Sequence, residues 1–255
     1  MTGKTEDLSA TLANLRGDYR ALVQRLEANE REFQRLGRAV FRVEEEERRR
    51  LARELHDGLG QNLTALKHRL ALLASQLGDS RPDLQPDIDA SLALCSQGLA
   101  DTRELSRLLR PQVLDDLGLE AALDWLARTL GTSGGLAIEI RADGLPALEP
   151  DLQTLVFRLA QEALANVTRH AGASQAIVSV RVHAGMLRLT VWDDGPGFDV
   201  VAAMEKSRRG ESTGLGGMKD RVALYGGHLH LESGDDGTRL AAAVPIPGES
   251  GILPP

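Results

Sequence analysis

The chain has 255 residues, of which 42% are hydrophobic, 26% charged and only 3% aromatic; it can fill a core, but an aliphatic one, and it is long enough for more than one structural unit. Thirty Lys and Arg stand against 37 Asp and Glu, a net charge of -7, so no general basic surface is available and direct nucleic-acid binding is excluded as the main activity. The single cysteine, Cys95, excludes an internal disulfide framework, no apolar run is long enough for a membrane span, and Met1 leads into polar residues, not a signal peptide; a soluble protein of the reducing cytoplasm is expected.

From Leu8 to Val43, residues Leu8, Leu12, Leu15, Tyr19, Leu22, Leu26, Asn29, Phe33, Leu36, Val40 and Val43 follow at alternating spacings of four and three. This heptad seam predicts a left-handed coiled coil, with polar Asn29 restricting its register. The run Glu44 to Arg50 reads in part as a solvated helix face and holds no helix breaker, so the helix is expected to continue to Leu77, before Gly78 to Pro82 stop it. A second helical pattern runs through Ile88, Leu92, Cys95 and Leu99 to Leu109 and closes at Arg110-Pro111. Two such helices form a hairpin, and their surplus of leucines predicts dimerisation into a four-helix bundle.

Past Pro111 the texture changes. Residues 137–140, 176–180 and 187–191 alternate like strands, a strong helix is expected from Asp151 to His170, and another follows Gly217 up to Gly226-Gly227. His228 to Leu231 and Leu240 to Val244 read as a closing hairpin with its turn at Asp235-Asp236-Gly237, giving a helix-and-sheet sandwich of the α+β type. The fold expected is therefore multi-domain, α followed by α+β.

Four clusters could carry chemistry. His56 follows core Leu55 by one position, about 100° around a helix, so its ring belongs at the rim of the bundle. Asp57 is placed to fix the tautomer, leaving the other ring nitrogen as nucleophile; Gln61 lies one turn beyond and Arg53 one turn before. Glu162, Asn166 and His170 recur at four-residue spacing with Arg169 at the edge, a face suited to Mg²⁺ and phosphates. In Trp192-Asp193-Asp194-Gly195-Pro196-Gly197-Phe198, Asp193 can accept a hydrogen bond from an adenine amino group while Gly195 and Gly197 let backbone approach the base. Thr213-Gly214-Leu215-Gly216-Gly217 opens a helix whose free N–H groups attract phosphate, and Gly237-Thr238 precedes the last strand. It matches neither the P-loop nor the dinucleotide fingerprint.

In this order the clusters resemble a known family, the sensor histidine kinases of two-component systems, in the branch that includes nitrate-sensor and membrane-fluidity-sensor kinases. The resemblance runs from about Glu44 to Pro247. Residues 47–61 are similar to that branch's phosphoacceptor box and residues 109–119 to its domain junction; residues 161–170, 193–197 and 214–218 resemble the N, G1 and G2 boxes of the ATP-binding fold shared with gyrase, Hsp90 and MutL-type ATPases.

The resemblance implies a dimerisation and phosphoacceptor domain over 44–115 and an α/β-sandwich ATP-binding domain of the Bergerat type over 116–247; the heptad seam puts a signalling coiled coil over 1–43 before them, and a flexible tail is expected over 248–255. His56 is then the phosphorylated residue, Asp57 its base and Gln61 the positioner of hydrolytic water. Asn166 is the Mg²⁺ ligand and Asp193 the adenine anchor; Glu162, Arg169, His170, Gly195, Gly197, Gly214, Leu215, Gly216 and Thr238 complete the ATP site. A larger residue is expected where Gly216 stands. The implied partners are a second copy of the chain and a response regulator with a receiver domain and helix-turn-helix output, toward which the kinase also acts as phosphatase. Two other readings stay open: an anti-sigma type serine kinase on the same ATP fold, and a coiled-coil scaffold with a degenerate nucleotide domain.

Overall fold

The computed structural model describes residues 2–109, 111–142, 144–211 and 214–246; the tail expected over 248–255 and Thr213 of the glycine-rich cluster lie outside them. Helix α1 (Thr2–Glu54) passes through a π-helical segment (Leu55–Gly60) into α2 (Gln61–Leu77), and α3 (Gln85–Leu109) returns alongside. The continuity expected from the unbroken charge run is observed. Intrachain packing is light here: no described residue of α2 is fully buried, as expected of a hairpin whose leucines exceed what one partner helix can cover. Along the heptad seam, Leu15, Tyr19, Leu22, Leu26, Phe33, Leu36, Val40 and Val43 are between 56% and 71% exposed, a continuous apolar stripe that one chain does not cover.

Helix α4 (Gln112–Gly134) was not foreseen in the glycine-rich texture after Pro111. It is two helical pieces joined at Gly118, whose φ of 82° interrupts the pattern, and its Leu119, Leu123 and Leu126 are buried. Then follow β1 (Ala137–Arg141), α5 (Pro150–Asn166) with a π-helical extension (Val167–Ala171), β2 (Gln175–His183), β3 (Met186–Asp193), α6 (Val200–Arg208), α7 (Gly214–Leu224), β4 (His228–Gly234) and β5 (Gly237–Pro245). Pro150 starts α5 where its missing N–H costs nothing. The five strands lie in the order β1-β2-β3-β5-β4, with β1 parallel to β2 and the other pairs antiparallel.

Period-two alternation sends Ala176, Val178 and Val180 of β2, Leu187, Leu189 and Val191 of β3, and Leu240, Ala242 and Val244 of β5 to one buried face. Against it α5 packs Leu152, Leu155, Val156, Leu159 and Leu164, each at most 2% exposed. Burial at that level stabilises by about 1.5–3 kcal/mol per side chain.

Helix α1 also reaches this core. Phe41 is buried within it and meets Tyr225 edge-on, ring centroids 6.4 Å apart. Arg38 Nε donates to the Leu224 carbonyl at 2.7 Å, and Gly37 lets the helix lie against Leu224, since a Cβ there would collide with that side chain. Glu45, in the middle of the charge run, is buried: Arg158 Nε and Nη2 donate to its two oxygens, each at 2.8 Å. Arg158 also donates to the Leu109 carbonyl and to Gln161 Oε1, both at 2.7 Å. One guanidinium on α5 thus ties together α1, α3 and the start of the second chemical cluster.

Candidate functional site

Two cavities contain most of the sequence-derived candidates, and no residue lines both. The first is a groove of about 420 Å³ between the π-helical segment and α2 on one side and α3 on the other, lined by His56, Gly60, Gln61, Thr64, Ala65, His68, Leu99, Thr102 and Arg103. Gly58 and Gly60 weaken the regular helix at this point, and the wider π turn carries His56 out to solvent. Ser106 Oγ donates to the Ala52 carbonyl at 2.9 Å and ties α3 to α1 just before the turn.

His56 and Gln61 share the groove; Asp57 is exposed and does not line it. Among the described residues the side chains of His56 and Asp57 make no hydrogen bond or ion pair, so the expected contact between Asp57 and the ring is not formed in this pose. Arg53 points the other way, toward Glu46 at 3.6 Å and the Arg49 carbonyl at 3.4 Å. The His56 ring is left accessible.

The second cavity, about 560 Å³, lies between α5, the β3 end, α6, the start of α7 and the β4–β5 hairpin. Glu162, Asn166 and His170 all reach it; the third does so although the helix has widened to a π turn from Val167 on. Asp193, Gly197, Gly214, Leu215 and Thr238 also line it. Arg169, Gly195 and Gly216, expected in the same site, are not among the lining residues.

The two adjacent acids at the β3 end divide their roles. Asp194 is structural: its carboxylate accepts from Ser174 N at 2.8 Å, Ser174 Oγ at 2.6 Å and Gln175 N at 2.9 Å, and these donors hold its pKa below the usual carboxylate range. Asp193 faces the cavity, 4% exposed. Burial pushes its pKa up, while the backbone N–H groups of Gly195 (3.0 Å) and Thr238 pull it partly back. A carboxylate so placed is a directional acceptor at the apolar end, where Val191, Leu231 and Leu240 form the wall.

Gly195 and Gly197 serve this geometry from behind. A Cβ on Gly195 would stand 2.5 Å from the Ala171 carbonyl, and one on Gly197, at φ +72°, would strike the Gly234 backbone. At the other end Gly214 brings the start of α7 against Glu162 and Asn166; a Cβ there would lie 2.7 Å from Glu162 Oε1.

Gly216 has a different task. Its N–H donates to Ser207 Oγ of α6 at 3.1 Å, and a Cβ would collide with that oxygen, so the small residue is what lets α6 lie against α7. Ala203 and Lys206 of α6 line the cavity beside it. The sequence reading missed them. The Asp199 cap, whose carboxylate accepts from Ala202 N at 3.0 Å, was the available signal that the stretch from Val200 is helical. Among the described residues no group of three or more His, Cys, Asp or Glu could hold a metal ion by itself, and no helix is long and apolar enough to cross a membrane.

Comparison with known proteins separates the chain along the same line. Residues 47–114 match the family described as histidine kinase, and residues 151–248 match the family of histidine kinase-, DNA gyrase B- and HSP90-like ATPases. A sensor histidine kinase, MctS, of Rhizobium johnstonii is 39% identical over 82% of this chain and 45% of its own length. The signal transduction histidine-protein kinase/phosphatase DegS of Brevibacillus brevis is 32% identical over 92% of this chain and 60% of its own. The sensor histidine kinase ComP of Bacillus subtilis is 33% identical over 78% and 26%. The chain therefore spans between 26% and 60% of the length of these curated relatives.

Proposed function

The chain belongs to the histidine kinase family, and we propose that it is an ATP-dependent kinase that phosphorylates its own His56 and passes the phosphoryl group to an aspartate of a response regulator. The observation that carries this reading is the convergence of Glu162, Asn166, His170 and Asp193 on one cavity, on a chain that separately exposes His56 in a groove with Gln61.

Asp193 accepts from the adenine amino group, and the base fills the apolar end. The triphosphate extends toward Asn166 and Gly214, where free N–H groups at the start of α7 favour anions. Asn166 offers the amide oxygen that would hold Mg²⁺, with Glu162 beside it; a cation using few protein oxygens suits a site with no metal cage of its own. Mg²⁺ when bound neutralises phosphate charge. A nitrogen lone pair of His56 attacks the γ-phosphorus, the bond to the β-phosphate oxygen breaks, and ADP leaves with that electron pair. Asp57 takes the hydrogen bond from the other ring nitrogen as positive charge develops. A carboxylate oxygen of the regulator's aspartate then attacks the phosphohistidine and frees the imidazole. Gln61 holds the water that hydrolyses the regulator's acyl phosphate, the phosphatase half of the function.

The working unit is a homodimer joined through the heptad seam and the exposed bundle leucines. Its place is the cytoplasm, and its regulator carries a receiver domain and a helix-turn-helix output. The domain division at 43/44, 115/116 and 247/248 belongs to the same reading. The test is incubation with γ-labelled ATP and Mg²⁺. Acid-labile label that His56→Ala abolishes supports the reading; acid-stable label points to the serine kinase, and no label to a scaffold.

A further inference from the structure

The nucleotide cavity carries a charge problem that the residues assigned so far do not solve. Two carboxylates, Glu162 and Asp193, line it, while ATP brings a polyanion. Arg169, a cation expected in the ATP site, is not among the lining residues. Of the described residues that do line the cavity, Lys206 alone bears a fixed positive charge; His170 is charged only when protonated.

Lys206 reaches the cavity because of how α6 is held. The helix is capped by Asp199, and Ala203, Lys206 and Ser207, at spacings of three and four, form its inner face. Ala203 and Lys206 turn to the cavity, while Ser207 Oγ accepts from Gly216 N at 3.1 Å. That bond seats the helix on the first turn of α7, which begins at Gly214 against Glu162 and Asn166. A Cβ at position 216 would collide with Ser207 Oγ and break this contact.

We propose that Lys206 is the cation that holds the terminal phosphates of ATP, and that the Ser207–Gly216 contact is the seat that keeps it there. This rests on the nucleotide reading of the cavity. A flexible ammonium suits a group that must release phosphate after transfer, since it binds as a point charge with rotatable donors. Because Lys206 is itself exposed, replacing it leaves the core untouched.

The test is a titration of the full chain with ATP, ADP and adenosine, in wild type, Lys206→Gln, Lys206→Arg and Gly216→Ala. Lys206→Gln is expected to weaken ATP about tenfold, the scale of one charge-assisted hydrogen bond, to weaken ADP less, and to leave adenosine unchanged. Its ATP affinity should also depend less on salt. Lys206→Arg should keep most of the ATP affinity, and Gly216→Ala should reproduce the phosphate-selective loss. Equal losses for ATP and adenosine, or ATP binding by Lys206→Gln at the wild-type level, overturns the proposal while the nucleotide reading stands. A wild-type chain that binds none of the three removes both.

Discussion

His56 and Gln61 line the same groove, and the proposed mechanism gives them steps with different demands. Labelling needs a nitrogen nucleophile and a positioned phosphate, whereas hydrolysis of the regulator's acyl phosphate needs a water held in line, which a neutral amide can both donate to and accept from. Gln61→Ala is therefore expected to keep His56 labelling and phosphotransfer while losing most phosphatase activity; equal loss of both activities, or an unchanged dephosphorylation rate, contradicts this division. Asp193 predicts a pH effect. Its folded-state pKa is raised by burial, so the unliganded fold loses a little stability as pH rises from the ordinary carboxylate range through the raised value. On the proposed reading ligand binding runs the opposite way, because only the carboxylate would accept from adenine. ATP affinity should fall on acidification, starting above the pH at which an ordinary aspartate protonates. Asp193→Asn should bind weakly and, by titration calorimetry across pH, lose that component while keeping the nucleotide's own titration. The stripe Glu162, Asn166, His170 was legible because helical periodicity is local. Lys206 and the Glu45–Arg158 pair were not, since their surroundings are assembled from segments far apart in the chain, 113 residues in the latter case.

Among the elements, α1 is used on two faces. Phe33, Leu36, Val40 and Val43 leave one stripe exposed, and Gly37, Phe41 and Glu45, at four-residue spacing, bury another against the ATPase half. The heptad reading located the first. It passed over the second because Glu45 sits in a run that looks solvated, and because Phe41 is one apolar residue among many. Helix α4 escaped notice for another reason: Gly118 breaks its pattern, and its apolar residues surround the axis instead of marking one side. The buried contact allows two opposite predictions. Glu45→Ala leaves Arg158, 6% exposed, without its bidentate partner and should cost about 3–5 kcal/mol, read as a lowered midpoint in thermal or urea unfolding. Tyr225→Phe should be neutral or stabilising. The hydroxyl is buried without a hydrogen-bond partner, and burial pushes its pKa up to about 12, so its removal takes away an unmet polar group and keeps the ring against Phe41.

For the whole molecule, the exposed seam and Leu59, Leu66 and Leu73, each about half exposed, call for a second chain. Leu66→Asp should disperse the dimer, with light scattering reporting a monomer at micromolar concentration. The embrace of α1 by the ATPase half has one more consequence. Within a protomer the His56 groove and the second cavity share no lining residue, so on the proposed reading transfer inside a single chain is expected to require that embrace to open. A Cβ on Gly37 would stand 3.2 Å from Leu224 Cγ, close to the reach of a sulfur bridge. A Gly37→Cys, Leu224→Cys double variant can therefore be locked by oxidation and freed by reductant. Locked protein is expected to bind ATP as before and to lose His56 labelling until reduced. Labelling that survives the lock means that the phosphoryl group crosses from one protomer to the other, and the handcuff itself then tells which chain fires at which.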